Sequence, residues 1–318
     1  MMLTFTNFYL TLIKDEVPKF KMTIFMPKLH IQFTLFSAFY SPLISAMTGN
    51  FLAEEGFEYE WSVAEPGVSA LKALEDGKAQ VVQSTISQGF SSLEKGEQPK
   101  ARHFALINNM DGFFISGRQA DGNFTWSSLE GADVLVHHAG QPMTMFKYAC
   151  FKADIDISKI NIIDAGNAQE MDAAFRAGQA DYIHQQGPAP QQLESDGVGF
   201  VLAALGPMVG SCAFSSLAAM PSWINSQEGR AFCRAYARTR RYISTSLAED
   251  VASAQKPLFP QIKESVLKEC IQSYKHMGCW PEDMEISKEG FDAMLDIFAF
   301  DNKISRRHAY ETICMKAP

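Results

Sequence analysis

Polar and aromatic side chains follow the ends of several predicted strands, where the loops of a parallel sheet come together. Their mixture of hydroxyl, amide, imidazole and aromatic groups suits a small polar, partly aromatic ligand. The free N–H groups at a helix start near Gly140 suit an anionic or carbonyl oxygen. For each residue, ordinary turn or cap chemistry is the alternative. The candidate ligand-binding residues are Ser37, Phe39, Tyr40, Gly67, Ser69, Ser84, Thr85, Asn109, Asp111, His138, Gly140, Gln141, Thr144, His184 and Gln185.

Histidines and cysteines could carry other chemistry, but their spacing favours neither a metal site nor a nucleophile. His137 and His138 are adjacent on a predicted strand, so at most one of them faces a common site. A histidine can also serve as a hydrogen-bond donor or general base. None of the six cysteines forms a Cys-x-x-Cys pair, and burial as free thiols is expected for Cys150 and Cys212. We assign no catalytic residue, metal or cofactor.

Two successive units of alternating strands and helices must position these side chains. The order strand, helix, strand, helix, strand predicts a parallel sheet with right-handed crossovers in each unit. The first unit comprises predicted strands at 29–36, 57–64 and 79–84 and helices at 43–55 and 68–75. The second comprises predicted strands at 133–138, 160–163 and 180–184 and helices at 140–149 and 168–177.

The second helix of each unit ends in the same way, and this repetition favours the interpretation that the chain forms two similar lobes. Gly77 and Gly178 each follow an amphipathic helix and precede a buried strand. The alternative is that this arrangement is common in any α/β protein. The predicted domains are an extension outside the fold over 1–26, a discontinuous first lobe and a second lobe. The first lobe covers 27–117 plus 215–318, and the second covers 118–214.

Composition and charge exclude some classes of partner. A chain of 318 residues with a net charge of -8 lacks the basic footprint that nucleic acids require. The apolar run over 3–13 is too short to span a bilayer, so no stable membrane insertion is expected. No Lys or Arg precedes that run and no small-residue cleavage site follows it. We therefore expect a cytoplasmic protein as the sequence is written, and a periplasmic one if the true start lies elsewhere.

Three segments carry a resemblance to a known family. Residues 39–57 (FYSPLISAMTGNFLAEEGF) resemble the opening of type II periplasmic-binding proteins, in which Pro-Leu and small residues precede a Gly, an aromatic residue, an acidic pair and a second Gly. Residues 129–131 and 177–181 resemble two later elements of the same family. The similarity spans about 27–298, and the branch it resembles binds sulfonates, taurine or the pyrimidine precursors of thiamine.

The resemblance implies a two-lobed α/β fold, in which each lobe is a mixed, mainly parallel sheet flanked by helices, with a ligand cleft between the lobes. It also implies a monomeric solute-binding protein that closes over a small molecule, with an ABC permease as partner if the chain is exported. The alternative is a cytosolic enzyme on the same fold, in cofactor-precursor, sulfonate or aromatic-acid metabolism. The loop after the first strand lacks the cysteine of desulfinase-like members, and the chain lacks the cysteine cluster of synthase-like members.

Overall fold

The structure is a computed structural model that describes residues 28–65, 67–138 and 140–318. The predicted extension over 1–26 lies outside the described residues. The described residues form ten strands, β1 (Lys28–Phe33), β2 (Glu58–Val63), β3 (Val81–Ser84), β4 (Arg102–Asn108), β5 (Phe113–Gly117), β6 (Asp133–Leu135), β7 (Asn161–Ile163), β8 (Tyr182–Gln186), β9 (Phe200–Ala204) and β10 (Ser215–Ala219).

Fourteen α-helices are found in the same part of the chain. They are α1 (Ser41–Thr48), α2 (Phe51–Glu54), α3 (Leu71–Glu75), α4 (Ser87–Glu94), α5 (Gly140–Lys152), α6 (Ala168–Arg176), α7 (Ala189–Ser195), α8 (Leu205–Val209), α9 (Pro221–Ile224), α10 (Gln227–Thr245), α11 (Ala248–Gln255), α12 (Glu264–Met277), α13 (Lys288–Phe300) and α14 (Tyr310–Ile313). None of these helices is both long and apolar enough to span a membrane.

The first sheet has the order β2-β1-β3-β10-β4. Strand β1 pairs in parallel with β2 and β3, whereas β10 runs antiparallel between β3 and β4. In β1 the apolar residues Leu29, Ile31 and Phe33 alternate with more exposed residues and are fully buried. This period of two places their side chains on one face of the sheet, where the helices cover them.

The second sheet repeats this plan, with the order β7-β6-β8-β5-β9. Strand β6 pairs in parallel with β7 and β8, and β5 runs antiparallel between β8 and β9. Each sheet therefore holds three parallel strands from one βαβαβ unit, an antiparallel strand and an outer strand. The predicted fold class is confirmed, and we call the two sheets with their helices the first and second lobes.

Two segments connect the lobes. The chain crosses from β4 to β5 through residues 109–112 and returns from β9 to β10 through residues 205–214. Strand β5 joins the second sheet. The first crossing at 109–112 therefore lies a few residues before the lobe boundary that the sequence predicted after residue 117. The antiparallel strand of each sheet directly follows one crossing: β5 follows the first, and β10 follows the second.

One predicted helix is interrupted in the structure. Residues 43–55 were expected to form a single helix, but α1 ends at Thr48 and α2 begins at Phe51. Asn50 between them has a φ of 63°, in the left-handed region, so the backbone turns there. The predicted helix at 68–75 is also shorter, because regular helix begins only at Leu71.

The last third of the chain is helical, and α13 packs on both lobes. Phe291 and Phe298 of α13 make edge-to-face contacts with Phe90 of α4 in the first lobe. Asp301, directly after α13, accepts a hydrogen bond from Thr144 of α5 in the second lobe at 2.8 Å. The C-terminal helices therefore cover the first sheet and also contact the second lobe.

Candidate ligand site between the lobes

Polar side chains and one backbone segment from the two lobes meet at the carboxyl ends of the parallel strands. The first lobe contributes Ser37 and Tyr40 after β1 and Thr85 after β3, and the second contributes Gln141 at the start of α5 and Gly187 after β8. In open α/β sheets these strand ends are where ligands bind, because the loops that follow the strands converge there.

Gln141 forms a bridge between the lobes. The hydroxyls of Thr85 and Ser87, from the first lobe, donate hydrogen bonds to Gln141 Oε1 at 2.5 and 2.8 Å. Gln141 Nε2 donates to the carbonyl oxygen of Phe214 in the second crossing at 2.9 Å. Gln141 is 8% exposed, so these contacts are shielded from water. We call Thr85, Ser87, Gln141 and the Phe214 carbonyl the Gln141 bridge.

A second set of contacts joins the lobes at Gly187. The Ser37 hydroxyl donates to the Gly187 carbonyl oxygen at 2.5 Å. The Gly187 N–H donates to the Tyr274 hydroxyl at 2.8 Å, and that hydroxyl donates to the Gly112 carbonyl oxygen at 2.9 Å. Tyr274 lies on α12, so a C-terminal helix fixes the relation between the first crossing and the loop after β8.

A buried cluster around Tyr40 and Asp111 lies at the same interface. Burial raises the pKa of Tyr40; hydrogen bonds from the side chains of Gln186 and Gln83 oppose this rise, whereas the charge of Asp111 adds to it. These interactions connect Tyr40 to Gln186 of the second lobe, to Gln83 of β3 and to Asp111 of the first crossing. We call Tyr40, Gln83, Asp111 and Gln186 the Tyr40–Asp111 cluster.

Asp111 is the acidic member of this cluster and is completely buried. Its Oδ1 accepts a hydrogen bond from the Phe113 N–H at 2.6 Å, whereas its Oδ2 is buried with no hydrogen-bond partner among the described residues. Burial raises the pKa of Asp111 to about 7, against the opposing effect of the Phe113 hydrogen bond. Gln186 Oε1 is also buried and without a partner in the described part of the chain.

The three candidate histidines lie in the second lobe but differ in burial: His184 is buried, His137 is partly buried and His138 is exposed. His184 is fully buried, with its ring stacked on Phe113 at 4.4 Å between centroids and tilted against Phe146. Burial lowers the pKa of His184 to about 3, so its ring is neutral at physiological pH. His137 also contacts Phe113, whereas His138 turns its Nδ1 to the Val136 carbonyl oxygen at 2.8 Å.

Several of the predicted ligand residues gather at this interface. Tyr40, Thr85, Asp111 and Gln141 belong to the two groups already defined, and Ser37 contacts Gly187. The ring of Phe39 is buried between Tyr40, Phe214 and Tyr274. Ser84 Oγ and Asn109 Oδ1 are buried without a partner among the described residues. That these residues contact a ligand stays a prediction.

Other predicted ligand residues have their side chains engaged elsewhere. Gly67 and Ser69 are exposed, and the Ser69 hydroxyl donates to the Gln88 side chain. Gln185 Nε2 donates to Asp172 on α6 at 3.1 Å. Gly140 is the first residue of α5 and has a positive φ of 42°. Thr144 is bound to Asp301, as described for α13.

Sequence patterns missed four residues of the interface. Gln186 lies two residues after the predicted His184, on the same face of β8, so the period of two could have identified it. Gln83 is a polar residue inside the buried strand β3, which is also a usable signal. Tyr274 lies on α12 and Trp280 lies in the loop after it, and Trp280 Nε1 donates to the Phe39 carbonyl oxygen at 3.0 Å. No local pattern marks these two.

Other parts of the described structure offer no comparable chemistry. All six cysteines are free and buried, and burial raises the pKa of the Cys150 and Cys212 thiols, so neither is an activated nucleophile. No group of three or more His, Cys, Asp or Glu residues in 28–65, 67–138 and 140–318 could hold a metal ion. An open depression lined by Arg118, Asp121 and Tyr182 lies at the other end of the second sheet, away from the lobe interface.

The two sheets, their repeated strand order and the paired crossings define a periplasmic-binding-protein fold. No family model matches the chain. One curated protein, the "Putative binding protein YtlA" of Bacillus subtilis strain 168, is 22% identical over 284 residues, which are 88% of this chain and 85% of that protein.

Two solved structures show the same architecture. A ligand-binding component of an ABC-type import system from Staphylococcus aureus, solved with zinc bound, has a TM-score of 0.72 and 15% identity, over 91% of this chain and 96% of that one. The periplasmic aliphatic sulphonate-binding protein SsuA of Escherichia coli has a TM-score of 0.68 and 14% identity, over 92% of each chain. Sequence identities this low establish a shared fold, and the ligand must be inferred from this chain's own residues.

Proposed function

We propose that this protein is the solute-binding component of an ABC-type import system, which closes its two lobes over a small polar or partly aromatic ligand. One observation carries the proposal. Buried oxygen atoms of Asp111 and Gln186 have no partner among the described residues, at an interface where other side chains are bonded across the lobes. Buried polar atoms without partners destabilise a fold, so a ligand that supplies partners favours the closed arrangement.

The relatives support import over catalysis. The Staphylococcus aureus neighbour is a component of an import system, the Escherichia coli neighbour binds sulphonates, and the Bacillus subtilis relative is named as a binding protein. None of these names describes an enzyme. A membrane-embedded permease of the ABC type is the corresponding partner, and the periplasmic location of the Escherichia coli protein supports action outside the cytoplasm.

The fold supplies the motion that such a function needs. Two crossings at 109–112 and 205–214 connect the lobes, so small changes in backbone angle there can open and close the interface. The contacts made by Gln141 and Ser37 form only when the lobes are close. A ligand that bridges Asp111 and Gln186 adds to these contacts and shifts the population towards closure.

A thermal-unfolding screen with pyrimidines, sulfonates and aromatic acids tests the proposal, with small-angle X-ray scattering as a second readout. A true ligand raises the melting temperature as its concentration increases, with about 2.7 kcal/mol of stabilisation at a hundred times its dissociation constant. It also lowers the radius of gyration as the lobes close. Turnover of a candidate to a new product, with no stable complex, would establish the enzyme alternative instead.

A further inference from the structure

The loop after β8 lies directly against α12. A Cβ added at Gly187 would lie 2.6 Å from Cys270 Sγ and 2.7 Å from the Tyr274 hydroxyl oxygen, closer than non-bonded heavy atoms approach. Gly187 follows β8 of the second lobe, whereas Cys270 and Tyr274 lie on α12. The absence of a side chain at Gly187 therefore allows the loop to reach the helix. We call Gly187, Cys270 and Tyr274 the Gly187 seat.

Helix α12 is attached to the first lobe through α11. It packs against α11, which in turn packs against α1. Gln255 of α11 is fully buried, and its side chain is hydrogen-bonded to Ser41 and Ser45 of α1. On its other side α12 contacts α7, the helix that follows Gly187 in the second lobe. The Gly187 seat therefore joins elements of different lobes, and it must separate when the lobes open.

The Tyr274 hydroxyl joins the seat to the first crossing. It accepts a hydrogen bond from the Gly187 N–H at 2.8 Å and donates one to the Gly112 carbonyl oxygen at 2.9 Å. The Tyr274 ring is fully buried against Phe39 of the first lobe and Phe114 of β5. Without the hydroxyl, two backbone groups would lose a partner inside the closed interface, which is costly.

Water can satisfy the same two backbone groups when the lobes are apart, so the hydroxyl stabilises the closed arrangement selectively. We propose that Tyr274 is a latch, which raises the fraction of closed molecules before any solute is bound and ties closure to the first crossing. This inference rests on the proposed function, because it concerns the closure that solute binding requires. A molecule that is closed without solute must open to admit it, so the latch also lowers the apparent affinity for the solute.

Tyr274→Phe tests the latch, because it removes the hydroxyl and retains the ring. Small-angle X-ray scattering of the unliganded variant should give a larger radius of gyration than the natural protein. Alkylation of Cys270 by iodoacetamide is the second readout, since this thiol is fully buried beside Gly187 and becomes accessible when the loop moves away. It should react roughly tenfold faster in the variant, as expected for the loss of buried hydrogen bonds. Adding Cys270→Ser should remove the extra reaction.

Tyr236→Phe is the matched control. Tyr236 is also fully buried, and its hydroxyl donates to the Leu106 carbonyl oxygen at 3.0 Å. Tyr236 lies on α10 and Leu106 on β4, so this hydrogen bond stays within the first lobe. The control should lose stability much as Tyr274→Phe does. Its radius of gyration and its rate of Cys270 alkylation should remain those of the natural protein.

Gly187→Ala tests the same seat from the second lobe, and it serves if Tyr274→Phe fails to fold. The added methyl group would collide with Cys270 and Tyr274 only in the closed arrangement, so the radius of gyration should again increase. Gly122→Ala is its control, because a Cβ at Gly122 meets nothing within 4 Å. This control should scatter like the natural protein.

Two results would overturn the latch. One is an unchanged radius of gyration and alkylation rate in both Tyr274→Phe and Gly187→Ala, and the other is an equal change in Tyr236→Phe. Neither result would decide the proposed function, which depends on whether a pyrimidine, sulfonate or aromatic acid raises the melting temperature and closes the lobes. Conversely, a working latch in a protein that binds none of these solutes would leave the proposed function without support.

Discussion

The Gln141 bridge and the Tyr40–Asp111 cluster lie at the same interface but differ in how their polar atoms are satisfied. In the bridge, Gln141 uses both its oxygen and its nitrogen in hydrogen bonds within the protein. In the cluster, Asp111 and Gln186 each retain a buried oxygen without a partner in the described structure. We propose a division of labour, in which the bridge holds the lobes together and the cluster contacts the ligand.

The largest expected effect is a pH dependence of stability that belongs to Asp111. Its folded pKa of about 7 lies above the value in the unfolded chain, so Asp111 stabilises the fold most at low pH. This contribution is lost as the pH rises through about 7. The free energy of unfolding of the natural protein should therefore fall relative to Asp111→Asn by on the order of 4 kcal/mol between about pH 4 and 8.

Urea unfolding of both proteins across this pH range provides the measurement. His103 and His184, whose pKa values burial lowers to about 3, also affect stability in acid. They are present in both proteins, so their contribution cancels in the difference. Parallel pH profiles for the two proteins would show that Asp111 is not buried in the way the structure describes.

A smaller effect is expected from Gln141→Leu, which breaks the bridge. The substitution removes three hydrogen bonds and leaves the Thr85 and Ser87 hydroxyls without their shared acceptor, so stability should fall by about 2 kcal/mol. The set of ligands that raise the melting temperature should stay the same. Gln169→Leu, at an exposed position on α6, is the control and should change stability little. A changed set of ligands in Gln141→Leu would show that the two regions are not separable.

The smallest effect is expected from Asp301→Asn at the outer contact between α5 and α13. Lys147 Nζ lies 2.7 Å from Asp301, but about a third of the Lys147 side chain is exposed, so solvent weakens the ion pair. The Asn oxygen can still accept from Thr144. Urea unfolding should show a loss of less than about 1 kcal/mol, with ligand binding unchanged. A change in ligand affinity would indicate that this contact takes part in closure.

Sequence patterns predicted the sheets better than the interface. Alternation in segments such as Leu29–Phe33 and the order of elements identified the parallel strands of both lobes, because local period and connection rules determine them. The break at Asn50 depends on one residue in the left-handed region, and the helical spacing of apolar residues does not reveal such a residue. Helix 43–55 was therefore predicted as continuous.

The candidate site was predicted only in part, for a different reason. Tyr40, Asp111 and Gln141 follow or adjoin strand ends, where ligand residues are expected. That Gln141 bridges to Thr85 and Ser87 depends on how the two lobes meet, and their residues are about 55 positions apart in the sequence. Tyr274 comes from a helix much later in the chain. Contacts of this range leave no periodic signal in a single sequence.

A crystal structure of the protein with a ligand from the thermal-unfolding screen would test the central claim most directly. We predict the ligand between the lobes, with a polar atom roughly 2.7–3.2 Å from Asp111 Oδ2 and with Gln141 still bonded to Thr85. Binding at the depression near Arg118, or binding between the lobes with no contact to Asp111 or Gln186, would contradict it.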